Sequence, residues 1–394
     1  MKTILLATVA AAFAVVSVFG QTAPESEEKA STAASTNASA KPDAAVTAEE
    51  SAPTGIDKIK SDIEKLAACA RNKSLTWTIS VMHENDMFAH TDCDYTAGTK
   101  ISWISPDLTD FREAGVFPDE IYKFSDYLPF IHEKAVQRNV AINIGQNMYT
   151  PEDTETTNPD PTDRPYCGWL YLGIAFHNKT EKWLDIVEMN MGVIGSWSMA
   201  HETQDFIHEK VRHCPTCNGW SHQIGNEPVV NIVWERKMRY WRLGDTYGPA
   251  ADAIAHLGGS LGTLYTYANT GFTLRCGWNL PMDFGTTTIR IAGDVNAPAS
   301  GDDPRLRGSR RWGIHFFGDV DGRAVARDGT LDGNLFRDSV SVDKLPFVMD
   351  VSGGTSIVIG SWKISYAEVA RSKEFKTQKT ERHVFGSITV SYTY

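Results

Sequence analysis

Val384-Phe-Gly-Ser-Ile-Thr-Val-Ser-Tyr-Thr-Tyr394 closes the chain. Positions 384, 388, 390, 392 and 394 are Val, Ile, Val, Tyr and Tyr, and the residues between them are mainly Ser and Thr. Successive side chains of a strand point to opposite faces, so this stretch has one apolar and one hydroxylated face. A barrel in a membrane needs that pattern: apolar side chains toward lipid, polar ones toward the lumen.

Working back from this strand, segments with strand character lie near 74–83, 94–104, 137–147, 167–177, 182–194, 227–242, 250–266, 269–279, 310–320, 345–353, 356–370 and 382–394. The count is about twelve and even, as bacterial barrels prefer. A strand with a terminal aromatic at the very end of the chain resembles the assembly signal of outer-membrane barrels. The fold expected is all-β: a transmembrane antiparallel up-and-down β-barrel of about 12 strands, with a short helix in an external loop. No segment after the N-terminus has the roughly 18 continuous apolar residues of a membrane helix, and barrel strands do not need them. Trp103, Trp169, Trp183, Trp234, Trp241, Trp278 and Trp362 lie in or beside the strands. Interfacial girdles would place them there, and so would core packing.

The N-terminal residues 1–20 read as a secretory signal peptide: Lys2, an apolar run from Ile4 to Phe19, and small residues at −3 and −1 in Val18-Phe19-Gly20. Residues 21–54 are almost entirely Ala, Ser, Thr, Glu, Pro and Lys. Such a composition buries too little surface to offset the entropy of ordering, which makes it a linker. Residues 55–72 place Ile56, Ile59, Ile63, Leu66 and Ala67 at helical spacing, which predicts a periplasmic helix before the barrel at 73–394. The net charge of −11 and the absence of a basic run argue against nucleic acid as a partner. Six cysteines define no framework, and Cys214-Pro-Thr-Cys217 reads as a local disulfide rather than half of a zinc site.

If the N-terminus lies in the periplasm, the connections 84–93, 148–166 and 195–226 all open on the external face. They carry most of the unusual polar chemistry. The first holds Glu84-Asn-Asp-Met-Phe88 and Asp92-Cys-Asp-Tyr-Thr-Ala-Gly98. Carboxylates and an amide there can hold a divalent ion or orient a water, and they can equally make turns. The second closes with Asp163-Arg-Pro-Tyr-Cys-Gly-Trp169. Its Arg164 is either part of a local salt bridge or an outward fork suited to phosphate. The third contains Ser196 to Arg212, a stretch able to form a helix that sets Gln204 and His208 on one face. A lone histidine at a surface is most often just that.

Together these motifs resemble the lipid A 3′-O-deacylase family, LpxR. The matching elements are Asn85-Asp86, Tyr95-Thr96-x-Gly98, Gly145-Gln146-x-Met148-Tyr149-Thr150-Pro151 and Asp163-Arg164-Pro165-Tyr166-x-Gly168-Trp169. Gly192-x-x-Gly195, Gln204-x-x-x-His208, Gly219-Trp220-x-x-Gln223-x-x-Asn226-Glu227-Pro228 and Arg371-Ser-Lys-Glu-Phe375 follow in family order. The resemblance implies a twelve-stranded outer-membrane barrel that hydrolyses the 3′-acyloxyacyl ester of lipid A in lipopolysaccharide with calcium as cofactor; a monomer with its site facing outward is expected. It implies His208 as the base that activates water, with Asn85, Asp86, Thr96 and Gln204 around it. Asp86, Asn85 and Glu227 are the ion-ligand candidates, and Arg164 is the substrate-phosphate candidate. One departure is Cys214, where the family can carry an acidic residue six positions after the histidine; Glu227 or Glu209 could substitute. Two other classes stay open: an outer-membrane phospholipase A-type esterase with a serine nucleophile, and a non-catalytic pore or structural barrel.

Overall fold

The computed structural model describes residues 76–86, 94–128, 130, 131, 133, 136–209, 217–286, 288–290, 292–306 and 312–394. The expected signal peptide, linker and periplasmic helix lie outside the described residues. Twelve strands form one closed antiparallel barrel in which each strand pairs with its neighbours in sequence and β1 closes on β12. They are β1 (Thr78–Asn85), β2 (Asp94–Ile104), β3 (Gln137–Thr150), β4 (Cys167–Lys179), β5 (Trp183–Ile194), β6 (Glu227–Leu243), β7 (Pro249–Gly262), β8 (Tyr265–Trp278), β9 (Trp312–Asp328), β10 (Phe347–Ile359), β11 (Trp362–Ser372) and β12 (Arg382–Thr393). Closure leaves no strand edge unpaired, which a sheet in lipid requires.

The closing strand points as its pattern demands. Ser391 faces Ser80 of β1 across the lumen side (2.8 Å), while Tyr392 packs on Trp362 outside. Outward side chains of β6 to β11 are mostly apolar, and Ile232, Leu257, Leu261, Phe272, Phe316 and Met349 are exposed there; Arg236 and Glu368 are charged exceptions. Trp241, Trp278, Trp312 and Trp362 stand on this face at the strand ends that share one rim with the last residue, Tyr394. An aromatic belt at a membrane interface has that form. Trp169 differs: it is buried inside, stacked on Tyr171 at 4.0 Å between centroids, so packing explains it.

Strand bounds depart from expectation mainly at β9 and β10, which run on to Asp328 and Ile359. The break expected between 353 and 356 is absent, and Gly353-Gly354 lie within β10. A Cβ at Gly354 would stand 2.0 Å from the Tyr366 carbonyl, so the glycine permits a close approach of β11. The chain turns instead at Gly360, where φ is +60°.

Two connections at the Tyr394 rim carry structure of their own. Residues 105–136 include α1 (Asp119–Ser125) and pack Phe111, Tyr122 and Phe130 against Val140, Ile174 and Phe176 on the outer wall. The β8–β9 connection, 279–306, enters the lumen as a plug. Its Asp283 accepts hydrogen bonds from Arg275 (2.6 Å), Lys363 (2.8 Å) and Arg305 (3.0 Å). Burial opposes a charge there, but those three cations outweigh it and hold the Asp283 carboxyl well below the usual range. Lys179 donates to the Pro298 carbonyl (2.7 Å), and Lys100 pairs with Asp294 (2.8 Å). Wall residues from β2, β4, β8 and β11 thus grip the plug, and an open pore does not fit this arrangement.

Candidate active site

Antiparallel connectivity brings the connections after β1, β3 and β5 to one end of the barrel, as the polar motifs require. The third connection opens with a 3-10 turn, Gly195–Ser198, followed by α2 (Ala200–Ile207). Gly195 has φ +79°, and a Cβ on it would meet the Ile224 carbonyl, so the turn needs glycine. α2 then lies on the outside of the wall. Gly168 of β4 faces it, and a Cβ there would stand 2.3 Å from the Ala200 Cβ. Ala97, Met148, Tyr166, Ala200, Cys217 and Trp220 form one buried cluster that seats the helix on β2 and β3.

The register locates Asn85 beside this seat. Lys100 reaches inward to the plug, so Ala97 and Thr99, at odd numbers on β2, face outward. Asn85 pairs with Ala97, and Ala97 pairs with Met148, giving one outward row across β1, β2 and β3. The next row is His83, Thr99 and Gln146. His83 Nδ1 lies 3.0 Å from Thr99 Oγ1, and Gln146 Nε2 donates to the Ser198 carbonyl (2.7 Å). Polar side chains are costly on a wall that faces hydrocarbon. All four of His83, Asn85, Thr99 and Gln146 are buried, and Gln146 ties the row to the turn that leads into α2. Asp86 follows the last rung of β1 and is fully buried.

Gln204 on α2 is buried and accepts a 2.6 Å hydrogen bond from Trp220 Nε1. Trp220 packs on the Tyr166 ring at 4.9 Å, so Gln204 fixes which face of the helix meets the wall. His208 caps the helix with helical backbone angles, and its N–H donates to the Gln204 and Asp205 carbonyls. Four residues on from Gln204, it shares that face and is partly exposed. Thr96 lies on β2 where the ladder against β3 is irregular between Asp94 and Ala97; its side chain is outside the described residues. So are Cys214 and residues 87–93, which leaves the expected disulfide outside description.

Two candidates stand elsewhere. Arg164 is buried rather than outward: its Nη2 donates to Glu374 Oε2 at 2.5 Å, and its guanidinium lies 5.2 Å from the Tyr149 ring centroid. That placement does not fit an exposed phosphate grip, and the partner is Glu374 rather than Asp163. Glu227 opens β6 in register with the inward Ile194. Its two oxygens accept the Leu335 and Phe336 amides (both 3.1 Å), which ties down the β9–β10 connection and its short α3 (Gly329–Asp332). β1 and β6 are not neighbours, and Glu227 does not join Asn85 and Asp86.

For a cation, Asn85 and Asp86 supply hard oxygen donors of the type calcium takes, usually six to eight with carbonyls and waters. Among the described residues no group of three or more His, Cys, Asp or Glu side chains gathers for a metal.

The motifs missed in the sequence are His83, Thr99 and Gln146 as an outward polar row, and the plug. Strand alternation could have found the row once Asn85 was assigned outward. The plug has no strand or helix periodicity to announce it.

A closed twelve-stranded barrel with a mostly apolar outer belt and a lumen filled by its own plug defines a class: an outer-membrane β-barrel that is not an open channel. The chain belongs to the LpxR family; the model described as "Outer membrane protein LpxR" matches residues 61–394. It is an outer-membrane lipid A deacylase, a carboxylic ester hydrolase. The solved LpxR from Salmonella typhimurium is similar in fold, 17% identical, with 80% of this chain and 100% of that one covered and a TM-score of 0.63. The β domain of the Bordetella autotransporter BrkA is 7% identical over 81% of this chain and 98% of its own, with a TM-score of 0.39. No curated protein matches.

Proposed function

We propose that this barrel removes the 3′-acyloxyacyl group of lipid A with His208 as general base and with its site facing the outer leaflet. His208 takes a proton from water, whose oxygen adds to the ester carbonyl. The tetrahedral intermediate collapses, the sugar 3′-oxygen leaves and receives the proton, and the acyloxyacyl acid is released. Gln204, anchored by Trp220, holds the helix face that carries His208 toward the wall. Asn85 and Asp86 would hold calcium, which supplies positive charge near the carbonyl oxygen when bound. Thr96 belongs beside them by its motif alone.

The observation that carries this reading is the row of buried polar groups on the outer wall of β1 to β3, whose Gln146 meets the turn into α2, on a barrel whose outward face is mostly apolar along β6 to β11. A lipid ester can reach that row sideways from the bilayer. Arg164 and Glu227 are left out of the machinery as structural partners of Glu374 and the β9–β10 connection. General base catalysis contributes about 10²–10⁴-fold. Purified His208→Ala in lipid A–detergent micelles should lose activity within that range while migrating as a folded barrel. Undiminished turnover would remove His208 from the mechanism.

A further inference from the structure

Asn85 and Asp86 occupy a precarious place. The last rung of β1 is Asn85 against Ala97 and Gly386, and strand ends are where ladders fray. One residue earlier, Glu84 turns inward. Its carboxylate is 1% exposed, and Oε1 accepts the Ile289 amide of the plug at 2.6 Å. The neighbouring plug residue, Arg290, reaches the other way: Nη1 donates to Asp321 of β9 (3.0 Å) and Nη2 to Glu235 of β6 (3.1 Å). Lys100, on the strand paired with β1, donates to the Arg290 carbonyl (3.3 Å) and pairs with Asp294 (2.8 Å). The plug tip is thus braced between the β1–β2 corner and the opposite wall of the barrel.

We propose that Glu84 is a positioning residue of the deacylase, and that the plug tip at Ile289-Arg290 forms part of the active-site framework. Glu84 touches no reacting atom. It pins the backbone of the residue before Asn85 from inside, so that Asn85 and Asp86 meet the helix side of the wall at a fixed height. Displacements near 1 Å at positioned groups can cost on the order of 10²-fold in rate. This inference rests on the reading of Asn85 and Asp86 as site residues.

The experiment uses the full-length barrel with purified lipid A. Glu84→Ala removes the acceptor, while Glu84→Gln keeps an oxygen for the Ile289 amide. Ile289→Pro removes the donor from the other side. The alanine and proline variants should each lose about tenfold or more in kcat with KM within about twofold. Their double variant should lose no more than either alone, because both break one contact. Glu84→Gln should stay within about threefold of wild type. Hydrogen exchange supplies a readout independent of turnover: amides of residues 82–86 should exchange faster in Glu84→Ala and not in Glu84→Gln. Gel mobility of the unheated samples reports folding. An alanine variant with wild-type kcat and exchange would overturn the proposal. So would a glutamine variant as slow as alanine, or losses that multiply in the double variant. Inactive wild type would instead sink the deacylase reading on which the proposal rests.

Discussion

At the scale of single residues, the buried pair Arg164–Glu374 behaves oppositely to an exposed phosphate clamp. Burial raises the Glu374 carboxyl, but Arg164 and Arg371 outweigh it and hold the group at about 2. An unfolded glutamate titrates near 4.3. A carboxylate whose pKa is lower in the folded state stabilises fully above the unfolded value and loses that contribution as pH falls through the folded one. Glu374 should therefore contribute on the order of 2–3 kcal/mol at neutral pH, lost between about pH 4.3 and pH 2. Glu374→Gln should flatten the acid limb of the barrel's unfolding curve in that window, measured by heat-modifiable gel mobility against pH. An unchanged limb would contradict the pairing. The sequence offered Arg164 with two readings, a local salt bridge or a phosphate grip. Its true partner is 210 positions away, and only closure of the barrel brings the two together.

At the scale of elements, strands were the legible part. Period-two alternation survives wherever one face meets lipid and the other the lumen, so β2, β4 and β6 start where their patterns do. The helix in the third connection was legible too: the stretch Ser196 to Arg212 was expected to be helical, and Ala200–Ile207 is. The plug was not. Its hold on the barrel comes from ion pairs and hydrogen bonds with side chains scattered over most strands, and nothing local marks residues 279–306 as an interior segment. The plug carries a clear expectation of its own. A barrel in which residues 286–306 are replaced by a short Gly-Ser linker should show unitary conductance in planar bilayers, whereas wild type should be silent. Equal, silent traces from both would show that something else closes the lumen.

At the scale of the whole molecule, the apolar outer wall defines a depth profile. Leu257 lies midway along β7, whereas Leu261 stands near its end, and both face outward. Leu257→Arg should cost about 2–4 kcal/mol in vesicle-based urea unfolding, and Leu261→Arg about 0–1 kcal/mol. Equal costs would move the membrane belt. The same profile explains why the site was only partly legible. Asn85, Asp86, Gln204 and His208 were readable as motifs, and the register sets Asn85 in the outward row beside α2. The supporting row of His83, Thr99 and Gln146 became visible only when the ladder fixed which side chains face out.

In the proposed reaction a base at the end of α2 and groups at the end of β1 cleave a lipid ester at the outer wall. The most direct measurement is the mass spectrum of lipid A from cells expressing wild type, His208→Ala or no barrel. Lipid A should be lighter by one acyloxyacyl group at the 3′ position with wild type, and unmodified in the other two. Lipid A of full mass with folded wild type, or equal deacylation with His208→Ala, would contradict it.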